Sequence, residues 1–182
     1  MPTYAEHPSR VSRWHDGAFE VLPEASTATQ TVWFVAGPDG QEDPVDVLWE
    51  GLLTQPAGPD EAVVVAIPVF VDDVGLGDRV GVTRQGSALV ATQRLTDSGR
   101  FPFRVLFPDQ EDLADDTRWR DLMLELAAYG CWFDVYSPGL VALSADLEVT
   151  PAVAGHLEAA REQGRLQFEP GRTVPPFSVP PG

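Results

Sequence analysis

Acidic side chains are the residues of this chain best placed to do chemistry, and they fall in two groups. Asp72, Asp73 and Asp78 lie within IPVFVDDVGLGDRVGV (67–82), and DQEDLADD (109–116) holds Asp109, Glu111, Asp112, Asp115 and Asp116. Phosphate binding by G-L-G-D, metal binding by the aspartates, paired acid/base catalysis and docking of a basic partner are the chemistries these residues raise. A phosphate loop of the G-x-G type leads into a helix whose N-terminus meets the anion. Here G-L-G-D is followed by RVGVTRQGSALVATQRL, which alternates and turns at Gln85-Gly86, so the loop joins strand to strand. Gly75 and Gly77 then supply backbone freedom, and Asp78 bonds to turn amides. The three aspartates lack the alternating oxygen spacing of a calcium loop, and no metal or other cofactor is expected.

The run at 109–116 has two principal readings, with paired acid/base catalysis a distant third. Asp115 and Asp116 precede a predicted helix and meet its dipole, and the other three acids fit a solvated face. Alternatively Asp109, Glu111, Asp112, Asp115 and Asp116 form a docking surface for a basic protein, with Trp119 as its aromatic anchor, since an aromatic beside a charged patch is typical of an interface hot spot. Trp119 also fits a core stripe. Arg100 and Arg104 flank FPF at an inferred junction of two units, where they either pair with local carboxylates or bind a small anion. His7 and His15 lie in the N-terminal region, and His156 precedes Leu157 on a predicted helix, as a half-exposed surface histidine does. Cys131, the single cysteine, sits in YGCWF as a small buried thiol and excludes an internal disulfide or a cysteine zinc cluster. G-x-S-x-G, H-E-x-x-H, C-x-x-C and Walker sequences are absent.

Composition narrows the partners. The 182 residues carry 12 basic against 28 acidic side chains, a formal net charge of −16. Every base is arginine; lysine and asparagine are missing and Ile67 is the only isoleucine, a bias that points to a GC-rich bacterial genome. Such a charge repels nucleic acid and anionic membranes and attracts basic partners. No apolar stretch reaches the roughly 18 residues of a membrane span, so a cytoplasmic protein is expected.

Positioning these residues requires several elements. Residues 1–30 read as an irregular arm with one strand near 18–22. From TVWFVAG (31–37), short apolar segments alternate with turns: DVLWEGLL (46–53), then AVVVAIPVFV (62–71), where Pro68 forces a bend or an edge. FRVLFP (103–108) is a predicted strand, and TRWRDLMLELAAYG (117–130) spaces Trp119, Leu122, Met123, Leu126 and Tyr129 as a helix. CWFDVY and LVALSAD flank Ser137-Pro138-Gly139 as a hairpin. Thr150 and Pro151 open a second helix that runs to Gly164, before the strand RLQFEP (165–170). The order β-α-β-β-α-β specifies a split βαβ sandwich. TVPPFSVPPG is expected as an extended tail.

Several of these stretches, LW at 48–49, AIPVFV, G-L-G-D-R-V, D-S-G-R-F-P-F-R-V and YGCWFDV with LVAL, resemble the bacterial domain of unknown function family 4265. That family shows a leucine-tryptophan strand, an N-I-P-F-F strand, a G-D-x-V turn and an S-G-H-S-T-x-R strand in succession. The likeness covers roughly residues 31–170. Ala66 stands where the family shows asparagine and Arg100 where it shows histidine, so any chemistry those side chains perform elsewhere is lost here. The resemblance implies a fold and no reaction.

The expected fold class is α+β. A small, mostly antiparallel β-barrel-like unit (31–100) is followed by a ferredoxin-like (βαββαβ) sandwich (101–172), between the arm (1–30) and a proline-rich tail (173–182). The expected function is a non-enzymatic acidic protein-binding protein, of which an immunity protein against a basic secreted toxin is one form. A small-molecule sensor binding between the two units is the second expectation, and an enzyme of unrecognised type the third.

Overall fold

A computed structural model describes residues 3–8, 10–36, 47–108 and 117–172. The chain is α+β and mostly strand. Its first sheet closes on itself as a five-stranded barrel of β4 (Gln30–Ala36), β5 (Leu48–Gly58), β6 (Glu61–Val64), β7 (Arg79–Gln85) and β8 (Ala88–Thr96). Closure depends on β5, whose eleven residues serve two partners in turn. Residues 48–54 pair antiparallel with β4, and 54–58 pair with β6 across a bulge between Pro56 and Gly58. A short parallel contact, Val32 with Leu89 and Trp33 with Val90, joins β4 to β8. β1 (Thr3–Glu6) adds to β5 in parallel. Alternation turns Val32, Phe34, Leu52, Val64, Val80 and Val82 into the barrel core.

The second sheet takes β9 (Arg100–Leu106), β10 (Trp132–Ser137), β11 (Leu140–Asp146) and β12 (Gln167–Pro170) in the order β12-β9-β11-β10, every neighbour antiparallel. A helix, α2 (Arg118–Glu125), lies between β9 and β10 in sequence, and α3 (Thr150–Glu162) between β11 and β12. The helices cover one face, where Phe103, Val105, Phe133, Leu143, Leu122 and Leu157 share a core. The opposite face turns Trp132 and Ala142 toward the barrel, into a cluster with Val65, Ile67 and Val69.

The N-terminal residues differ from the expected irregular arm. They form β1, the hairpin of β2 (Ser12–His15) and β3 (Ala18–Val21), and the short α1 (Pro23–Thr27). The hairpin extends the second sheet through a contact of β2 with β10. Its two-residue turn is Asp16-Gly17, with φ of 49° and 80°, the positive pair that a tight hairpin requires. One stretch of chain therefore contributes strands to both sheets.

The expected strand at 62–71 is also shorter. β6 ends at Val64, and 65–78 form an irregular connection, because the amides of Ile67, Val69, Phe70 and Val71 donate to side-chain carboxylates and not to a neighbouring strand. The first predicted helix ends at Glu125 and tightens into a 3-10 turn over Ala127–Tyr129. Gly130, at φ 67°, then reverses the chain.

Candidate functional site

Strand alternation places two acids where apolar residues are expected. Glu50 in LWEGLL faces the barrel interior with Leu52, and Asp134 in CWFDVY faces the barrel side of the second sheet with Trp132. A carboxylate buried in this way needs a cation and hydrogen-bond donors. His7, the first residue after β1, supplies the cation. Its Nε2 lies 2.6 Å from Glu50 Oε1, and its Nδ1 lies 3.0 Å from Asp134 Oδ2, within ion-pair range of both. The His7, Glu50 and Asp134 side chains are 4%, 0% and 1% exposed. Burial opposes charge on the imidazole, but the bonds and charges of Asp134 and then Glu50 outweigh it and raise its pKa from 6.5 to about 10.

The carboxylates also collect the backbone of the connection. Val69 N donates to Glu50 Oε1 at 2.7 Å, while Phe70 N and Val71 N donate to Oε2 at 2.9 and 2.8 Å. Ile67 N donates to Asp134 Oδ2 at 3.2 Å. Barrel, N-terminal strand, connection and second sheet thus meet at one charged centre. A cleft of about 200 Å³ opens beside it, lined by Glu6, His7, Arg10, Thr31 and Ala66 among others. With its two ring nitrogens turned to Glu50 and Asp134, His7 ties the barrel to the second sheet.

G-L-G-D forms the second charged centre. Asp78, fully buried, accepts Gly75 N at 2.9 Å and Ser98 N at 2.8 Å, which ties the turn to the start of β9. Gly77 has φ 87°. The carboxylate also receives Arg172 Nη2 at 3.0 Å, and Arg172 Nη1 reaches Asp97 at 2.5 Å. Partial burial opposes the charge of Asp97, but the Gly99 amide and Arg172 hold its pKa below the usual carboxylate range. The loop carries no helix, and its amides are occupied within the fold: Gly75 N by Asp78, Gly77 N by the Val64 carbonyl and Asp78 N by the Gly75 carbonyl.

The remaining expected site residues are dispersed. Asp109, Glu111, Asp112, Asp115 and Asp116 lie outside the described residues. Trp119 is half-buried near the start of α2 and packs on the second-sheet core, its ring 6.3 Å from Phe19 and capped by the Arg120 guanidinium at 5.0 Å. Arg100 pairs with Asp146 at 3.1 Å. Arg104 pairs with Asp72 at 2.6 Å and Glu169 at 3.2 Å and donates to the Val71 carbonyl at 2.7 Å, so both arginines have local carboxylates. Arg104 also lines a cleft of about 340 Å³ between the connection, at Val69 and Phe70, and the second sheet, at Leu106, Leu140 and Phe168. His156 bonds Glu125 at 2.8 Å on the surface, and burial, with a smaller contribution from Asp146, pushes the Cys131 thiol up to about 12. Among the described residues, no group of three or more His, Cys, Asp or Glu side chains is placed to hold a metal ion.

His7 carries no sequence motif. The legible signal was the pair of acids at core-facing strand positions, which demands a cation from elsewhere in the chain.

Comparison with curated protein sequences gives no match. Among solved structures, one described as "Novel crystal structure of a hypothetical protein from Neisseria gonorrhoeae" is similar, with a TM-score of 0.59 and 15% identity over 78% of this chain and 94% of that one. At that identity the likeness concerns the fold alone. The family described as Domain of unknown function (DUF4265) matches residues 50–168, from Glu50 at the first charged centre to Phe168 on β12, and the chain belongs to that family.

Proposed function

We propose that this protein is a non-enzymatic, acidic binding protein for a basic protein partner, acting in the cytoplasm. One observation carries the reading. The buried carboxylates Glu50, Asp78 and Asp134 face the internal cations His7 and Arg172, and apart from these three acids and Arg172 the chain still carries 25 acidic against 11 basic side chains, so most of the excess negative charge is borne elsewhere in the chain. A field of that sign steers a basic protein and disfavours nucleic acid and anionic membrane. Among the described residues, no helix is long and apolar enough to cross a membrane. An immunity protein that neutralises a basic secreted antibacterial toxin is one form of such a binder. The second sheet fits this reading as a ferredoxin-like scaffold, supported by its order β12-β9-β11-β10 with α2 and α3 in the two crossovers.

The test is a pull-down from the native host that identifies the partner, followed by association kinetics at two salt concentrations. A basic partner whose on-rate falls as salt rises is expected, and reversal of Asp109, Glu111 and Asp112 to lysine should slow association roughly tenfold. A partner that binds both proteins at one salt-independent rate would sink the reading.

A second reading has its own observation, the Arg104 cleft between the two sheets, which suits a small-molecule sensor. Thermal-shift screening against small carboxylates and phosphates, repeated with Leu140→Trp to fill the cleft, tests it. Stabilisation that survives the filled cleft would place the ligand elsewhere.

A further inference from the structure

Strand alternation on a barrel predicts polar residues on the outside. Across β1, β5 and β4 it delivers aromatic ones. Tyr4 stands opposite Trp49 on β5, and Trp49 stands opposite Val35 on β4, so the three form one row across three neighbouring strands. Tyr4 is 61% exposed and Val35 55%, and Trp33 and Trp49 are half-buried beside them. Gly51 makes the surface continuous. A Cβ there would stand 3.0 Å from the Trp33 ring, so its absence lets the indole lie across β5 and meet Tyr4 edge-on, with centroids 5.3 Å apart. α1 does not cover this end of the strands, because it docks at the other end of β5, where Gln55 bonds the Glu24 carbonyl and Thr27.

Charge says what suits the face. β1, β4 and β5 contain no basic residue, and the only exposed charge on them is Glu6. Arg10 lines the adjoining cleft, with its guanidinium on the Ala25 and Ala28 carbonyls. The other aromatic surface, where Trp119 meets Phe19, has an arginine of its own, with Arg120 over the Trp119 ring. Electron-rich rings beside an exposed carboxylate, on strands that carry no base, favour cations, and guanidinium groups above all, because they stack on aromatic faces and shed water readily.

We propose that the Tyr4–Trp33–Val35–Trp49 face of the barrel is the docking surface of the basic partner, and that it receives an arginine-rich segment of that protein. The proposal rests on the binding function proposed above and assigns it a location. Long-range acids steer the partner, and the rings anchor it.

The test titrates the full chain with a fluorescently labelled nona-arginine peptide at physiological ionic strength, and maps the contact by hydrogen exchange. Expected are protection of β1, β4 and β5 and binding roughly tenfold weaker in the Tyr4→Ser/Val35→Ser double variant, with Phe19→Ser unchanged. Glu6→Arg, which spares the rings, should also weaken binding and serves if the double variant melts early. A parent that does not bind the peptide overturns both this surface and the acidic-binder reading. Binding that survives the double variant or Glu6→Arg, or that protects other strands, overturns the surface and leaves the binder reading standing.

Discussion

The two buried charged centres solve the same problem with different cations. At each, a fully buried carboxylate collects backbone amides from an irregular segment and takes a counter-charge from near one end of the chain. Glu50 takes three amides and His7, and Asp78 takes two amides and Arg172. Each therefore closes an end of the chain onto the barrel, where an unpaired acid would cost several kcal/mol. They differ in what pH can do. The His7 imidazolium loses its charge as pH climbs to about 10, so the seam it closes is sensitive to alkali.

Breaking the first seam should have the largest effect. Glu50→Ala removes the acceptor of three amides and strands His7, so a loss of about 3–5 kcal/mol is expected, read as a fall of roughly 10 °C in melting temperature. Arg172→Met should cost about 3 kcal/mol, because Asp78 keeps its bonds from Gly75 and Ser98. Denaturant titration of both variants ranks them; a larger loss at Arg172 would reverse the comparison.

The pH response separates the seams directly. The His7 pKa is raised in the folded state from 6.5 to about 10, so its stabilisation is complete below pH 6.5 and is lost as pH climbs to about 10. Melting temperature should fall across that window in the parent and in Arg172→Met, and much less in His7→Gln. Parent and His7→Gln curves that run parallel would show that His7 is not the titrating group. The smallest effect belongs to the turn. Gly77→Val forces a β-branched residue to φ 87° and brings its Cβ to 3.1 Å from Ser98, which should cost at least about 1 kcal/mol and 2–4 °C. An unchanged melt would mean the turn relaxes freely.

Both G-L-G-D glycines and Asp78 were legible as a turn, because the alternating pattern after them has no helical period. What that pattern could not contain was Arg172, 94 residues on, whose charge makes Asp78 a buried ion pair as well as a turn residue. The helical stripe of α2 and the Thr150-Pro151 start of α3 were visible because their spacing is local. The first strands were not. Asp16-Gly17 is a strong hairpin signal, but it sits between runs of only four residues, too short to show a period.

Local pattern thus determined the strand-rich barrel segment, the helix–strand alternation after Phe101 and the structural role of the glycine turn, since each depends on neighbours within a few residues. The net charge, also a property of sequence, is the ground for the basic partner proposed above. Tertiary structure alone decided which acids are buried and what holds them. Glu50, Asp134 and His7 are separated by 43 to 127 positions, and only closure of β5 against β1 and packing of the second sheet on the connection bring them within 3 Å. Their pairing reflects the desolvation of charge in a folded interior, which residue spacing does not encode. The aromatic face has the same origin. Tyr4, Trp33, Val35 and Trp49 become one surface only when three strands align in register, and a glycine between them leaves room for the ring.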